Sequence, residues 1–431
     1  MSARSLEGAT GRVTLEERAS PRGVRVTVDL EAVRANLREA RRLSGGGFQC
    51  AVVKADAYGH GAVAIARALV REDTPAESRA DGFAVVTTGE AIALREGGIR
   101  QPILVLQGPV DAADASRCAE SGLWPVIHDL AQHEWFRRHA RRGELAAWLK
   151  VDTGMGRLGV TPVEAERLLR ESSGIRWYGV LSHFACADEP GNAHTRAQIE
   201  RFAALHLPDR LVRSLANSAG IIAWPEARHD WARPGLMLYG CDPRWPNVAL
   251  GAGGADGGAT GVEPRGETGA SRREATEARV TLRPAMRATT SLASVKSMAA
   301  GAGVGYGQSW RCPERMTIGL ARVGYGDGLP RVLEGALVSV GGSDCPVVGR
   351  VSMDSIALDL RGAPDATIGD EVELWGGRLP VEAMAAAAGT IAYELLTAIR
   401  GTRQYIDTAP VENVSDLQAD GPARERRGAS A

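Results

Sequence analysis

Cys50-Ala-Val-Val-Lys54-Ala-Asp-Ala-Tyr58-Gly-His-Gly61 is the stretch that decides the fold. Cys50 to Val53 is an apolar run of strand type, and a lysine stands where it stops. A Tyr-Gly-His-Gly turn follows, and beyond Gly61 the residues Val63, Ile65, Ala66, Leu69 and Val70 recur at helical spacing. A strand that ends in a reactive side chain and turns through glycines into a helix is how α/β enzymes present chemistry.

The lysine sharpens this reading. Of the 51 basic residues only Lys54, Lys150 and Lys296 are lysines, so ordinary surface charge in this chain is arginine. A lysine therefore marks a position where arginine would fail. Arginine keeps its proton in a protein, whereas lysine can lose it, and a neutral amine is what forms a Schiff base.

Apolar runs separated by helical patterns extend outward from this stretch. They fall at 24–28, 48–53, 82–86, 103–106, 124–127, 146–151, 175–181 and 211–215; Leu30-Val33-Leu37 and Ala91-Ile92-Leu94 are two of the helical patterns. Eight strand–helix repeats are the count of a (β/α)8 barrel. A doubly wound sheet is the alternative, but it normally has fewer strands, and no G-x-G-x-x-G opens the first unit. Lys54, His128, Asp152, His183 and Asn217 all stand at or just beyond the C-terminal ends of runs. That is the face on which barrel enzymes keep their active sites.

The expected organisation is α/β: a TIM-like barrel over 24–249 and a mostly-β domain over 277–411. The β runs lie at 291–295, 316–323, 336–340, 346–351, 356–360 and 371–374, with one late helix at 381–399. Residues 1–23 are expected as a disordered extension, 250–276 as a Gly-rich flexible insertion and 412–431 as a disordered tail. The length of 431 residues suits two domains, and the net charge of −1 offers nothing to nucleic acid or a membrane surface. Cysteines 50, 118, 186, 241, 312 and 345 contain no C-x-x-C, so neither a disulfide framework nor a zinc site is expected. No apolar run approaches the ~18 residues of a membrane span, and no leader pattern opens the chain. A cytoplasmic protein without a metal is the consistent expectation.

Val53-Lys54-Ala55-Asp56-Ala57-Tyr58-Gly59-His60-Gly61 resembles the pyridoxal-phosphate lysine motif of the alanine racemase family. Further segments are similar to that family, in order along the chain. They are Lys150-Val-Asp-Thr-Gly-Met-Gly-Arg157-Leu-Gly159, Ser182-His183-Phe184-Ala185, Asn217-Ser218, Arg233-Pro234-Gly235-Leu236 through Tyr239-Gly240, Val304-Gly305-Tyr306-Gly307, Gly324-Tyr325-Gly326-Asp327-Gly328, Gly349-Arg350-Val-Ser352-Met353-Asp354 and Ile391-Ala-Tyr393. The resemblance covers nearly the whole chain and departs from the family at the Gly-rich insertion and the two ends.

The resemblance implies interconversion of L-alanine and D-alanine, with the product supplying peptidoglycan synthesis. It implies that Lys54 carries pyridoxal 5′-phosphate and exchanges a proton on one face of the substrate, and that Tyr306 serves the other face. Ser218 and the amides of Gly235 and Leu236 would hold the phosphate, with Tyr58, Tyr393 and Asn217 beside them. Arg157 would reach the cofactor phenolate and the substrate carboxylate. Arg233 would face the pyridine nitrogen, oriented by His183. Arginine stays charged and only donates there, which weakens the ring as an electron sink and disfavours side reactions. Met353 N–H would bind the substrate carboxylate and Tyr325 would narrow the pocket, with Arg331, Arg350 and Asp188 at its entrance. Lys150 is either carbamylated (N6-carboxylysine), holding Arg157, or ion-paired with a carboxylate. Tyr306 and Met353 would reach the partner's site in a head-to-tail homodimer.

Three rivals share parts of this pattern. A broad-specificity racemase would turn over serine or lysine as well as alanine. A decarboxylase or aldolase on a related barrel would lack the pair Lys54 and Tyr306. A non-catalytic pyridoxal-phosphate-binding module would be a single barrel without the second domain.

Overall fold

The computed structural model describes residues 13–16, 23–139, 146–171, 175–245 and 280–407. The expected flexible insertion at 250–276, the tail at 412–431 and most of the extension at 1–23 lie outside the described residues.

Eight parallel strands form the first layer, in the order Trp231–Ala232, Phe48–Val52, Gly82–Val85, Ile103–Val105, Trp124–Ile127, Ala146–Lys150, Arg176–Leu181 and Val212–Ser214. Gly82–Val85, Ile103–Val105 and Ala146–Lys150 are buried along their whole length, as strands covered on both faces must be. The two ends of the order are tied by a parallel bridge between Asn217 and Arg233 and by the Ser214 hydroxyl, which donates to the Trp231 carbonyl at 2.7 Å. Helices cover the outside and start at sequence-encoded caps. Asp29 caps Leu30–Leu43, and Thr87 with Glu90 and Thr161 with Glu164 each form a reciprocal capping box.

One strand of the expected barrel belongs elsewhere. The run at 24–28 becomes Arg25–Asp29, which pairs antiparallel with Met286–Met298 and parallel with Thr402–Asp407 in the second sheet. Its burial alternates, with Val26 and Val28 in and Arg25 out, which is the pattern of a half-covered sheet rather than a barrel interior. The eighth barrel strand is instead Trp231–Ala232, too short to register as an apolar run.

The β domain is built on the long strand Met286–Met298. Met316–Ala321, Ile356–Asp359, Ser343–Val348, Leu337–Val340 and Glu371–Trp375 follow it in turn, and the last pairs back onto Met286–Met298, so these six strands close on themselves. Register shifts after Ala288 and Leu292 let the one strand serve both neighbours. The single helix expected at 381–399 is two helices, Val381–Ala387 and Ala392–Ala398, broken at Gly389 with φ of 68°. The domains are tied by an ion pair between buried Arg34 and Asp407, which Arg71 joins at 2.9 Å.

Candidate active site

Lys54 sits at the barrel mouth on an uncommon piece of backbone. Ala55, Asp56, Ala57 and Tyr58 all have φ between 50° and 53°, a complete left-handed turn. Each such L-residue crowds its Cβ against the next carbonyl oxygen, at about 1–2 kcal/mol apiece, so the surroundings must hold the turn. Glu90 Oε1 accepts the Ala55 N–H at 2.8 Å, and Asp56 Oδ1 accepts the Ala62 N–H at 2.7 Å. Asp56 Oδ2 pairs with Arg403 of the β domain at 2.7 Å. His60 Nδ1 lies 2.9 Å from the carbonyls of both Ala57 and Tyr58, so that nitrogen carries the proton; burial pushes this imidazole down to about 4. A Cβ on Gly59 would stand 2.1 Å from the Leu396 carbonyl oxygen, so only glycine lets the turn meet the helix Ala392–Ala398.

A cavity of about 510 Å³ opens beside the lysine. Lys54, Tyr58, Lys150, Arg157, Ser182, His183, Asn217, Ser218, Arg233, Gly235, Leu236 and Tyr393 line it, with Val52, Val86, Leu106, Gln107, Leu158, Leu181 and Ile391. Four of these are cations, and none is a carboxylate. Burial and the Arg157 charge push the Lys54 amine below its ordinary pKa, with Glu90 opposing them. Burial, and after it Arg233, Arg157 and Lys54, bring Lys150 down to about 8. The carboxylate of Asp152 is taken up by the N–H groups of Gly154, Met155 and Gly156, at 2.8 to 3.2 Å. Lys150 makes no ion pair among the described residues.

Arg233 is buried, and its guanidinium donates to Ser214 Oγ and to the carbonyls of Ser182 and Leu215. The expected orientation by His183 is absent. Its ring makes no hydrogen bond to Arg233 among the described residues; Ser214 and the two carbonyls take three of that cation's five N–H groups. Burial, with Arg233, Lys150, Arg157 and Lys54 around it, pushes the His183 imidazole well below its ordinary range, so it is neutral.

The same cavity wall holds a small cradle of polar groups. Ser218 Oγ accepts the N–H of Gly235 at 2.9 Å and of Met237 at 3.3 Å. A Cβ at position 235 would stand 2.8 Å from the Tyr58 hydroxyl, so glycine keeps that space open. Asn217 caps the helix Ser218–Ala223 through its side-chain oxygen, 2.9 Å from Gly220 N–H. Tyr58 packs against Tyr239 and Tyr393 with ring centroids 4.9 and 5.5 Å apart.

Tyr306, Tyr325 and Met353 are not in this cavity. They stand on the β domain, 66%, 41% and 53% exposed. Tyr325 and Gly326 N–H donate to the carbonyls of Ser352 and Met353 at 3.1 and 2.9 Å, which joins two of the three. Arg350 Nη1 lies 3.3 Å from where a Gly307 Cβ would stand, against the Tyr306 turn. Arg331, Arg350 and Asp188 are exposed as well. His128 and Asp152 also fall outside the lining; the His128 ring bonds the Gln107 carbonyl at 2.9 Å. Sequence reasoning missed Glu90 and Ser214. The Thr87-x-x-Glu90 spacing signals a helix cap, but nothing in the sequence signals its reach to Ala55.

A parallel barrel that collects two lysines and two arginines at its strand ends defines a barrel enzyme that works with an amine on an anionic ligand. Residues 28–243 match the family described as Alanine racemase, N-terminal domain, and residues 285–406 match Alanine racemase, C-terminal domain. A curated alanine racemase of Halorhodospira halophila is 42% identical over 381 residues, 87% of this chain and 94% of that one. The crystal structure of biosynthetic alanine racemase from Pseudomonas aeruginosa superposes with a TM-score of 0.77 at 38% identity, covering 89% of this chain and 99% of that one. Alanine racemase from Bartonella henselae, solved with covalently bound pyridoxal phosphate, gives 0.73 at 28% identity over 89% and 100% of the two chains. The chain belongs to the alanine racemase family, and its enzymatic activity is that of an isomerase. Among the described residues no helix is long and apolar enough to cross a membrane.

Proposed function

We propose that this chain interconverts L-alanine and D-alanine with pyridoxal phosphate held on Lys54, and that Lys54 and Tyr306 of the partner subunit exchange the Cα proton on opposite faces. The observation that carries this reading is the cavity with four cations and no carboxylate. Such a lining suits a ligand set rich in anionic groups, namely a phosphate, a phenolate and a substrate carboxylate. The cradle of Ser218, the Gly235 amide and the Tyr58 hydroxyl, open only because residue 235 is glycine, fits the phosphate. Leu236, Asn217 and Tyr393 border it. When bound, pyridoxal phosphate supplies an aldehyde for the amine and a ring that draws electrons from Cα.

The chain's own residues do the rest. Lys54, its pKa lowered by burial and Arg157, takes or returns a proton at Cα. Arg157 binds carboxylate oxygen. Arg233, fixed by three oxygens, offers one of its two remaining N–H groups to the ring nitrogen without giving up its proton. Neutral His183 fills the wall beside it without adding a fifth charge. Lys150 makes no ion pair among the described residues, and burial brings its amine down to about 8, which supports carbamylation. Its neutral amine adds to carbon dioxide, an N–C bond forms and one N–H proton leaves to solvent. The anionic oxygens so gained would pair with Arg157.

Tyr306, Met353 and Tyr325 face outward on one chain, and exposed apolar residues grouped this way mark an interaction face. A head-to-tail homodimer places them over the partner's cavity, with Met353 N–H toward the substrate carboxylate and Tyr325 narrowing the space. The D-alanine formed is assigned to peptidoglycan on the family resemblance. Mixed dimers test the shared site. Lys54→Ala and Tyr306→Phe proteins should each be inactive alone. Unfolded and refolded together, they should regain about a quarter of parental racemisation, since half the dimers carry one intact site. No recovery on mixing would refute sharing.

A further inference from the structure

We propose that Glu90 is a positioning residue for Lys54, fixing the peptide from which the reactive amine departs; this rests on Lys54 being the cofactor lysine. Glu90 occupies the third position of the helix Thr88–Glu96, where a capping glutamate needs to reach only the cap residue's N–H. It does this with Oε2, which accepts from Thr87 N–H at 3.1 Å and also from Val86 N–H at 2.7 Å. Oε1 is then free of the cap, and it crosses to the neighbouring strand end to accept the Ala55 N–H at 2.8 Å. That N–H belongs to the Lys54–Ala55 peptide, the first plane of the left-handed turn. One carboxylate thus locks together the ends of two adjacent barrel strands, Phe48–Val52 and Gly82–Val85.

The geometry gives Glu90 two effects on the same amine. It fixes the direction in which the Lys54 side chain leaves a backbone that is strained and needs an outside hold. It also sets a negative charge near an amine that burial and Arg157 depress, and so keeps part of its basicity. Asp56, the acid on the turn itself, is paired with Arg403 and faces the β domain.

Glu90→Gln keeps the volume but cannot accept all three amides. The expected result is a weakened visible circular dichroism band of the lysine-bound cofactor, because the ring's orientation follows the amine. Proton transfer at Lys54 should also become more rate-limiting. The effect of deuterium at Cα then rises with the enantiomer whose proton Lys54 takes and falls with the other. Thr87→Ala removes the capping box and leaves the bond to Ala55, so it should lower the melting temperature without moving either signal. Unchanged signals in Glu90→Gln, or equal changes in both variants, would overturn the proposal. If Glu90→Gln does not fold, amide exchange on the unaltered holoenzyme decides: an Ala55 N–H that exchanges at an unprotected rate overturns it. A Lys54→Ala protein that retains the visible band after gel filtration would instead refute the cofactor reading, so the two failures are separable.

Discussion

The two ends of the barrel are made from the same strands and could hardly differ more. Phe48, Trp124, Trp148, Tyr178 and Trp231 fill one end, with ring centroids between 4.4 and 6.1 Å apart. Two residues further along their strands stand Lys150 above Trp148 and Arg233 above Trp231, and both line the cavity. Even spacing keeps each pair on the same face of its strand, so both members point inward. The rings close the floor and give the barrel its volume. Above them the side chains are cations and small polar groups, and a cavity remains. Stability and chemistry are therefore separated along the barrel axis, and single substitutions should separate them too.

The largest effect is expected at the mouth. Lys54→Ala should reduce racemisation by more than ~10⁴-fold, since it removes both the attachment and a base. A chiral assay of product from either enantiomer reads this directly. Tyr306→Phe should lose roughly 10²–10⁴-fold, the range for one acid–base group. The change keeps the ring and removes only a hydroxyl, so the unfolding free energy should move by no more than about 1 kcal/mol. At the floor the ordering reverses. Trp148→Ala should destabilise by about 3–5 kcal/mol in a denaturant titration, while the enzyme that remains folded turns over at the parental rate. A Trp148 variant with normal stability but poor turnover would break the separation.

How much of this was legible from residues alone follows from the same geometry. Lys54 announces itself because a rare residue ends an apolar run before a glycine turn, and a barrel strand buried on both faces is continuous enough to be seen. The eighth strand failed because Trp231–Ala232 has only two paired residues. The run at 24–28 misled because an isolated apolar stretch does not say which sheet it joins; its Arg25 and Thr27 carried the alternation that did. The left-handed turn was invisible, since Ala55, Asp56 and Ala57 have no glycine to mark a positive φ. The hold on Arg233 was misassigned to His183 because sequence gives proximity to a strand end, while Ser214 is recognised only by where its hydroxyl points.

The smallest expected effect concerns Lys150, and its sign is fixed by linkage. The amine titrates at about 8 when folded and near ~10.4 when unfolded. Between those values the unfolded chain binds the extra proton, so stability rises with pH across that window. Below pH 8 the buried charge opposes folding in full. In buffer stripped of carbon dioxide, Lys150→Met should therefore be more stable than the parent by up to roughly 3 kcal/mol at pH 7. The gap should close as the pH approaches ~10.4. Bicarbonate at pH 7.5 should stabilise the parent and leave the variant unmoved, because a carbamate replaces the unwanted cation with an anion between Arg157 and Arg233. Parent and variant that run parallel from pH 7 to 10 would place Lys150 with the structural floor rather than with the reactive mouth.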